Sequence, residues 1–205
     1  MSADPVLVLA TANQHKIEEM RAILAPLLPG VDMQRVVSMD RFDARSPVED
    51  GVTFEENAVI KAVAVAEATG LPALADDSGL AVDVMNGAPG IFSARWAGGH
   101  GDGAANLALL LDQLSDVRDG HRGAEFICVA ALALPNGTVE TAKGVVRGRL
   151  TREPRGEGGF GYDPAFVPDG YQVTTAELSA AQKNRISHRN AALEALTPAL
   201  RSALS

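Results

Sequence analysis

The chain lacks the marks of several functional classes. A single cysteine, Cys128, stands among 205 residues, so an intrachain disulfide is impossible and a cysteine-rich zinc site is excluded. Cys128 lies in the apolar run FICVAALAL, where a thiol packs as a small hydrophobe. No stretch is long and apolar enough to span a bilayer, and the start, MSADPVLVLATAN, has no basic leader region. Neither a transmembrane helix nor a signal peptide is expected, and the expected compartment is the cytoplasm. No GxGxxG follows the first apolar run, which argues against a Rossmann fold, and no GxxxxGK[ST] is present, which argues against a P-loop enzyme. HExxH, CxxC and the order of a Ser-His-Asp triad are missing as well. There is no repeat, low-complexity tract or separating linker, so residues 1–205 are expected to form one domain.

Positive charge is also in short supply. Eighteen Lys and Arg face 26 Asp and Glu, for a net charge of −8. That balance disfavours non-specific binding to nucleic acid or to an anionic membrane surface. A small polyanion is still admissible, because a local basic cluster outweighs charges more than a Debye length away. Apolar residues make up 46% and charged residues 21%, an ordinary globular balance with ample material for a core.

PVLVLATAN reads as a first buried strand, and HKIEEMRAILAPLL as a helix stopped by Pro29-Gly30. Residues 38–53 are irregular and acidic. FEENAVIKAVAVAEATG reads as a second helix ending at Gly70. ALADD and LAVDVM read as two short strands split by Ser78-Gly79. NGAPGIFSARWAGGHGDG reads as a glycine-rich loop, and ANLALLLDQL as a helix. EFICVAALALP and TVETAKGVVRGRL flank Asn136-Gly137, a strong hairpin signal. GEGGFGYDPAFVPDG reads as a second glycine-rich loop. TTAELSAAQKN and SHRNAALEALTPAL read as closing helices. Alternating strands and helices followed by a hairpin predict an α/β fold, with helices packed on a mixed sheet.

Four polar clusters interrupt this apolar scaffold. In TANQHK, Thr11, Asn13 and Lys16 sit at a strand end and on a first helical turn, where free N–H groups and the helix dipole favour an anion. The same residues also suit a simple N-cap. Asp76 and Asp77 interrupt an apolar run. Successive strand residues face opposite sides, so both line one pocket only if the strand ends or bulges between them. A strand-end carboxylate can hold Mg²⁺ or take a proton from water, and it can equally brace a turn. Glu49-Asp50 offers a second acidic position, or a solvated loop. In the late cluster, Phe160 or Tyr162 could stack on a flat base, and Asp163 could bind a sugar or orient a neighbour. Lys183, Arg185, His188 and Arg189 form a basic stretch suited to phosphate or to a carbonyl edge, or to a solvated helix end. Together the clusters describe a reader of a polyanion carrying a flat ring, assisted by a divalent cation: a nucleotide.

The motifs TANQHK, EDGVTFEENAVIKA, LPALADDSGLAVDVMNGAPGIFSARWAG, TREPRGEGGFGYDPAF and TTAELSAAQKNRISHRNAAL closely resemble those of the inosine triphosphate pyrophosphatases. These enzymes remove deaminated purine nucleoside triphosphates. The resemblance runs along almost the whole chain. It implies a long mixed sheet with flanking helices, two lobes sharing that sheet around a central cleft, and a homodimer. It further implies hydrolysis of ITP, dITP or XTP between the α and β phosphorus, with Mg²⁺ as cofactor.

Carried over by motif, Thr11, Ala12, Asn13, Gln14, His15 and Lys16 correspond to a triphosphate loop. Asp77 corresponds to the proton acceptor and a Mg²⁺ ligand, and Glu49 to a second acidic position near the metal. Ser78 matches a substrate contact. Phe160, Gly161, Tyr162 and Asp163 match a nucleoside loop, with Phe160 against the base. Lys183, His188 and Arg189 match the remaining substrate positions, and Arg189 or a backbone N–H is expected to face the purine C6 oxygen. Many members carry glycine where this chain has Ala12, so the loop either has ordinary backbone angles there, which is the expectation, or makes an altered phosphate contact. On this reading a metal cation, and not a salt link, makes the carboxylate at 77 tolerable. The rivals are a phosphomonoesterase with Asp77 as nucleophile, a non-hydrolytic nucleotide sensor, and a pyrophosphatase for modified pyrimidines, against which the SHR element argues.

Overall fold

The computed structural model describes residues 4–42, 44, 46–99 and 101–205; positions 43 and 45 of the acidic stretch and 100 of the first glycine-rich loop lie outside the described residues. The strands are β1 (Leu7–Leu9), β2 (Val36–Ser38), β3 (Ala73–Val82), β4 (Gly123–Ala133), β5 (Val139–Leu150) and β6 (Phe166–Pro168). The α-helices are α1 (Gln14–Leu27), α2 (Phe54–Thr69), α3 (Gly103–Gln113), α4 (Ala180–Ile186) and α5 (His188–Ala203). The strands form one sheet in the order β2-β1-β3-β4-β5-β6. β1 runs parallel to β2 and to β3, whereas β5 and β6 are antiparallel, so the sheet is mixed, as expected. No helix among the described residues is long and apolar enough to cross a membrane.

The chain divides into two compact units. The first comprises Met1–Asp77, Cys128–Gly144 and Arg189–Ser205; the second comprises Ser78–Ile127 and Val145–His188. In the first unit, strand alternation sends side chains to two different cores. Leu7, Leu9, Leu74, Cys128 and Leu132 meet Ile17, Met20 and Leu24 of α1 and Leu193, Leu196 and Leu200 of α5. Val8, Ala73, Ala75, Val129 and Ala131 face the other way and meet Ala58, Ala62 and Val65 of α2. Each fully buried leucine contributes about 1.5–3 kcal/mol. Small residues line both α2 and the strand face against which it packs. In the second unit, Leu80, Val82, Phe126, Leu150 and Phe166 enclose Leu107, Leu110 and Leu114 of α3 and its C-terminus.

Local chemistry sets the element ends. Asn13 caps α1 by accepting from the Lys16 N–H, and Thr53 caps α2 by accepting from the Glu56 N–H. Gly70 closes α2 in the left-handed conformation, φ 66°. The Asn136-Gly137 signal does form a tight connection: Gly137 has φ 87°, and the Leu134 N–H donates to the Thr138 carbonyl.

Three expectations need correction. ALADD and LAVDVM are not two strands, because β3 runs unbroken from Ala73 to Val82. Gly79 does not adopt a positive φ, and β3 lies between β1 and β4, so ladder bonding outweighs the turn tendency of Ser-Gly. The second glycine-rich loop contains β6, held by pairing of Leu150 with Phe166. TTAELSAAQKN is not one helix. A capping box at Thr174 and Glu177 opens a short 3₁₀ turn, and a second box at Ser179 and Gln182 opens α4.

Candidate active site

The two adjacent aspartates lie in the middle of β3 and point into different environments. Asp76 shares the face of Leu74, toward α1 and α5. Its side chain is 0% exposed and accepts from Arg189 Nη2 at 2.9 Å and Lys16 Nζ at 3.2 Å. Arg189 Nη1 also donates to Glu19 Oε2 at 2.6 Å. Burial alone would raise the Asp76 carboxyl, but Arg189, Lys16 and Lys61 outweigh it and hold that carboxyl well below the usual range. Asp76 is therefore favoured as a buried carboxylate paired with Arg189 and Lys16.

Asp77 shares the face of Ala73 and Ala75, toward α2. Lys61 Nζ donates to Asp77 Oδ1 at 3.2 Å, and Asn57 Nδ2 donates to Asp77 Oδ2 at 3.3 Å. The same Lys61 ammonium donates to Glu49 Oε2 at 2.9 Å, so the two acidic side chains converge on one point. The Asp77 side chain is 14% exposed and that of Glu49 34%, against the fully enclosed Asp76. Burial pushes the Asp77 carboxyl above its ordinary value, although Lys61 and Lys16 pull it down. Lys61 itself is raised, because Asp77, Asp76 and Glu49 together overcome its burial. The result is a carboxylate that is more basic than a solvated one and partly open to solvent.

These contacts overturn the expectation that a metal, not a salt link, makes the acids tolerable. Both carboxylates are compensated by protein cations. A fit to Mg²⁺ nevertheless holds on donor chemistry. Mg²⁺ is bound by hard oxygens, commonly one or two carboxylates with substrate phosphates completing the shell, and Asp77 and Glu49 supply two carboxylates at one place. Among the described residues, no three His, Cys, Asp or Glu side chains are grouped to hold a metal by themselves.

The expected triphosphate loop spans the end of β1 and the first turn of α1. Ala12, Asn13, Gln14 and His15 are exposed, and Thr11 and Lys16 are partly buried. The Asn13 N–H donates to Thr11 Oγ1, and Ser38 Oγ donates to the Thr11 carbonyl. Among the described residues Asn86 is the one non-glycine with positive φ, so Ala12 has ordinary backbone angles. Lys16 was expected as a charge for phosphate, but its ammonium lies on Asp76.

Arg189 departs further from expectation. It is 1% exposed, with its guanidinium directed at Asp76 and Glu19 rather than presented to a purine oxygen. Its position at the start of α5, beside a buried carboxylate on β3, draws it inward.

In the second unit, Asp163 organises the 156–163 loop. Its carboxylate accepts from the Phe160 N–H, from Lys183 Nζ and from Thr175 Oγ1, each at 2.8 Å. Lys183 Nζ also sits 4.7 Å from the centre of the Phe160 ring, a cation–π contact. Gly159 and Gly161 take positive φ, and a Cβ on Gly159 would collide with the Asp163 side chain. Asp163 is thus an orienting group and not an open sugar ligand. Tyr162 is buried, with its hydroxyl donating to the Ser93 carbonyl, which removes it as a stacking ring. His188 stacks on Phe126, centroids 4.9 Å apart. A pocket lies among Asp163, Phe166, Thr175, Lys183 and His188. Ser78 is half-buried on β3.

The chain matches the model of the Ham1 family over residues 7–199. It belongs to the Ham1 family. This Ham1 chain is 58% identical over 200 residues to a protein of Streptomyces coelicolor named dITP/XTP pyrophosphatase, covering 97% of this chain and 98% of that one. A HAM1 protein structure from Coxiella burnetii matches with a TM-score of 0.84 at 42% identity, covering 97% of this chain and 99% of that one. A nucleoside-triphosphatase, dITP/XTP pyrophosphatase, from Mycobacterium abscessus matches with a TM-score of 0.75 at 47% identity, over 94% and 98% of the two chains.

Four residues that contact the candidate side chains were missed from sequence: Glu19, Asn57 and Lys61 in the first unit and Thr175 in the second. A signal existed for three of them. Asn57 and Lys61 stand four apart on the α2 stripe that buries Ala58, Ala62 and Val65, and Glu19 falls in the α1 stripe with Ile17, Met20 and Ile23. Polar residues within an apolar stripe require buried partners. Thr175 carries no such pattern.

Proposed function

We propose that the chain hydrolyses deaminated purine nucleoside triphosphates (ITP, dITP and XTP) to the monophosphate and pyrophosphate, and so clears them from the nucleotide pool. The observation that carries this reading is near-full-length identity to a relative named dITP/XTP pyrophosphatase. The geometry of the acid pair supports it. Asp77 aligns a water and accepts its proton as the water oxygen bonds to the α-phosphorus and the bond to the β-phosphate oxygen breaks. Lys61 and Asn57 hold the carboxylate in place. The exposed start of α1 offers a positive helix end to phosphate oxygens, with the Asn13 and Lys16 N–H groups already taken by Thr11 Oγ1 and Asn13 Oδ1. Asp77 and Glu49 would hold Mg²⁺, which when bound supplies charge neutralisation at the phosphates and a more acidic water.

In the second unit we assign Phe160 to stacking on the base. Arg189 is committed to Asp76 and Lys183 to Asp163, so we assign recognition of the 6-oxo group to His188 and the N–H groups of Gly161 and Tyr162. A site built to donate to that oxygen rejects an amino group by up to about 10⁴-fold. On family resemblance we also propose that residues 1–205 act as one domain, that the protein is a homodimer and that it works in the cytoplasm.

The test is purified protein with Mg²⁺ and a panel of ITP, dITP, XTP, ATP and GTP, following pyrophosphate, orthophosphate and monophosphate. Pyrophosphate with inosine monophosphate is the expected outcome. Orthophosphate release would indicate a phosphomonoesterase, and tight binding without turnover a sensor. Phe160→Ala is expected to raise KM more than it lowers kcat, as loss of uniform binding does; an unchanged KM removes the stacking role.

A further inference from the structure

The carboxylates of Glu49 and Asp77 already share a cation that belongs to the chain. Lys61 Nζ lies 2.9 Å from Glu49 Oε2 and 3.2 Å from Asp77 Oδ1, so one ammonium faces both carboxylates. Lys61 is buried, so its ammonium is not a loosely solvated surface charge. One helical turn earlier, buried Asn57 donates to Asp77 Oδ2 and accepts from the Gly51 N–H at 2.9 Å, fixing the amide orientation and tying the acidic loop to the strand. A Cβ at Gly51 would lie 2.7 Å from Asn57 Oδ1, so the loop closes on this amide without room for a side chain. Both Asp77 oxygens and one Glu49 oxygen are therefore occupied by donors from α2.

We infer that Lys61 is a resident counter-cation of the acid pair, which orders the site without metal and keeps its affinity for free divalent cation low, so that the metal is recruited together with the nucleotide. This rests on the pyrophosphatase reading. Two carboxylates facing one ammonium carry a net single negative charge. A divalent ion arriving alone has to compete with that ammonium and give up water, which Mg²⁺ does reluctantly. An ion arriving on a triphosphate brings phosphate oxygens as most of its ligands and needs the protein carboxylates only to complete its shell. Lys61 thus makes occupation of the metal position conditional on substrate.

Free Mn²⁺ measured by electron paramagnetic resonance tests this without turnover. In nucleotide-free protein, Lys61→Met is expected to tighten Mn²⁺ binding at least about tenfold, the effect of deleting a unit charge a few ångströms from the ion. Lys61→Arg, which keeps the charge, is expected to stay near wild type. Equal or weaker Mn²⁺ binding by Lys61→Met overturns the inference. If Lys61→Met does not fold, Lys61→Gln takes its place, and the wild type supplies a further arm. Its Mn²⁺ affinity is expected to rise when a non-hydrolysable α,β-methylene analogue of ITP is added, and equal affinity with and without the analogue overturns the inference. Wild-type release of pyrophosphate from ITP is scored separately. A protein that hydrolyses ITP but gives equal Mn²⁺ binding in wild type and Lys61→Met retains the pyrophosphatase reading and loses only the role of Lys61.

Discussion

Asp76 and Asp77 differ by one position in the chain and by everything that decides what a carboxylate does. Asp76 anchors a buried network in which Arg189 is also held by Glu19. Replacing it by asparagine leaves a buried guanidinium short of charge, a change that typically costs about 3–5 kcal/mol. Asp76→Asn is therefore expected to lower the urea midpoint steeply. Asp77→Asn leaves Lys61 paired with Glu49, so it is expected to keep most of the stability while turnover of ITP falls to background. Retained kcat in Asp77→Asn removes its role as base, and an unchanged urea midpoint in Asp76→Asn removes the network's role in folding. Strand alternation made the divergence of the two side chains legible in the sequence. The partner of Asp76 was not legible, because Arg189 lies 113 positions away and only the packing of α5 against β3 brings it there. Cys128 was legible as an inert thiol. It is fully buried, and burial together with the nearby Asp76 raises its pKa strongly. A disulfide reagent such as dithionitrobenzoate is expected to leave it unmodified in native protein and to react fully in guanidinium; rapid native reaction would contradict the packing.

At the scale of elements, legibility followed length for the helices but not for the strands, since β1 was legible with three residues and β3 with ten was read as two. α1, α2, α3 and the Asn136-Gly137 connection carry enough residues for a 3.6 or 2 period to show, whereas β2 and β6 hold three residues each, too few to display any period. β6 exists because β5 accepts it, and one glycine makes that possible. A Cβ on Gly148 would lie 2.8 Å from the Phe166 ring and 3.0 Å from the Pro168 Cα, with the Val167 carbonyl closer still. Gly148→Ala is thus expected to disrupt β5–β6 pairing, with a loss of roughly 1–3 kcal/mol from overpacking. Because β6 follows directly on the loop that carries Phe160 and Asp163, KM for ITP is expected to rise in the same variant. A stable Gly148→Ala with unchanged KM would show that β6 does not position that loop. The loop's own glycines were readable as flexibility, but the reason for Gly159, the approach of Asp163, required the fold.

For the molecule as a whole, the decisive quantity is where its charge is satisfied. The chain carries a net charge of −8, yet the acids of its buried network and its proposed catalytic pair face Arg189, Lys16 and Lys61. Folding therefore draws on protein cations, and in the proposed mechanism the divalent ion is left to chemistry. A ligand stabilises the native state in proportion to the logarithm of its concentration over its dissociation constant, so an ion held weakly in the absence of nucleotide contributes little. Treatment with a chelator is expected to abolish turnover of ITP, to leave the thermal midpoint within about 2 °C, and to permit full recovery on adding Mg²⁺; for a chain of this size such a shift corresponds to about 1 kcal/mol or less. Adding Mg²⁺ together with a non-hydrolysable ITP analogue is expected to raise the midpoint clearly, whereas Mg²⁺ alone is not. A fall of many degrees on chelation would mean that the metal, and not Lys61, compensates the acids, and would return the site to the electrostatic design first expected from its sequence.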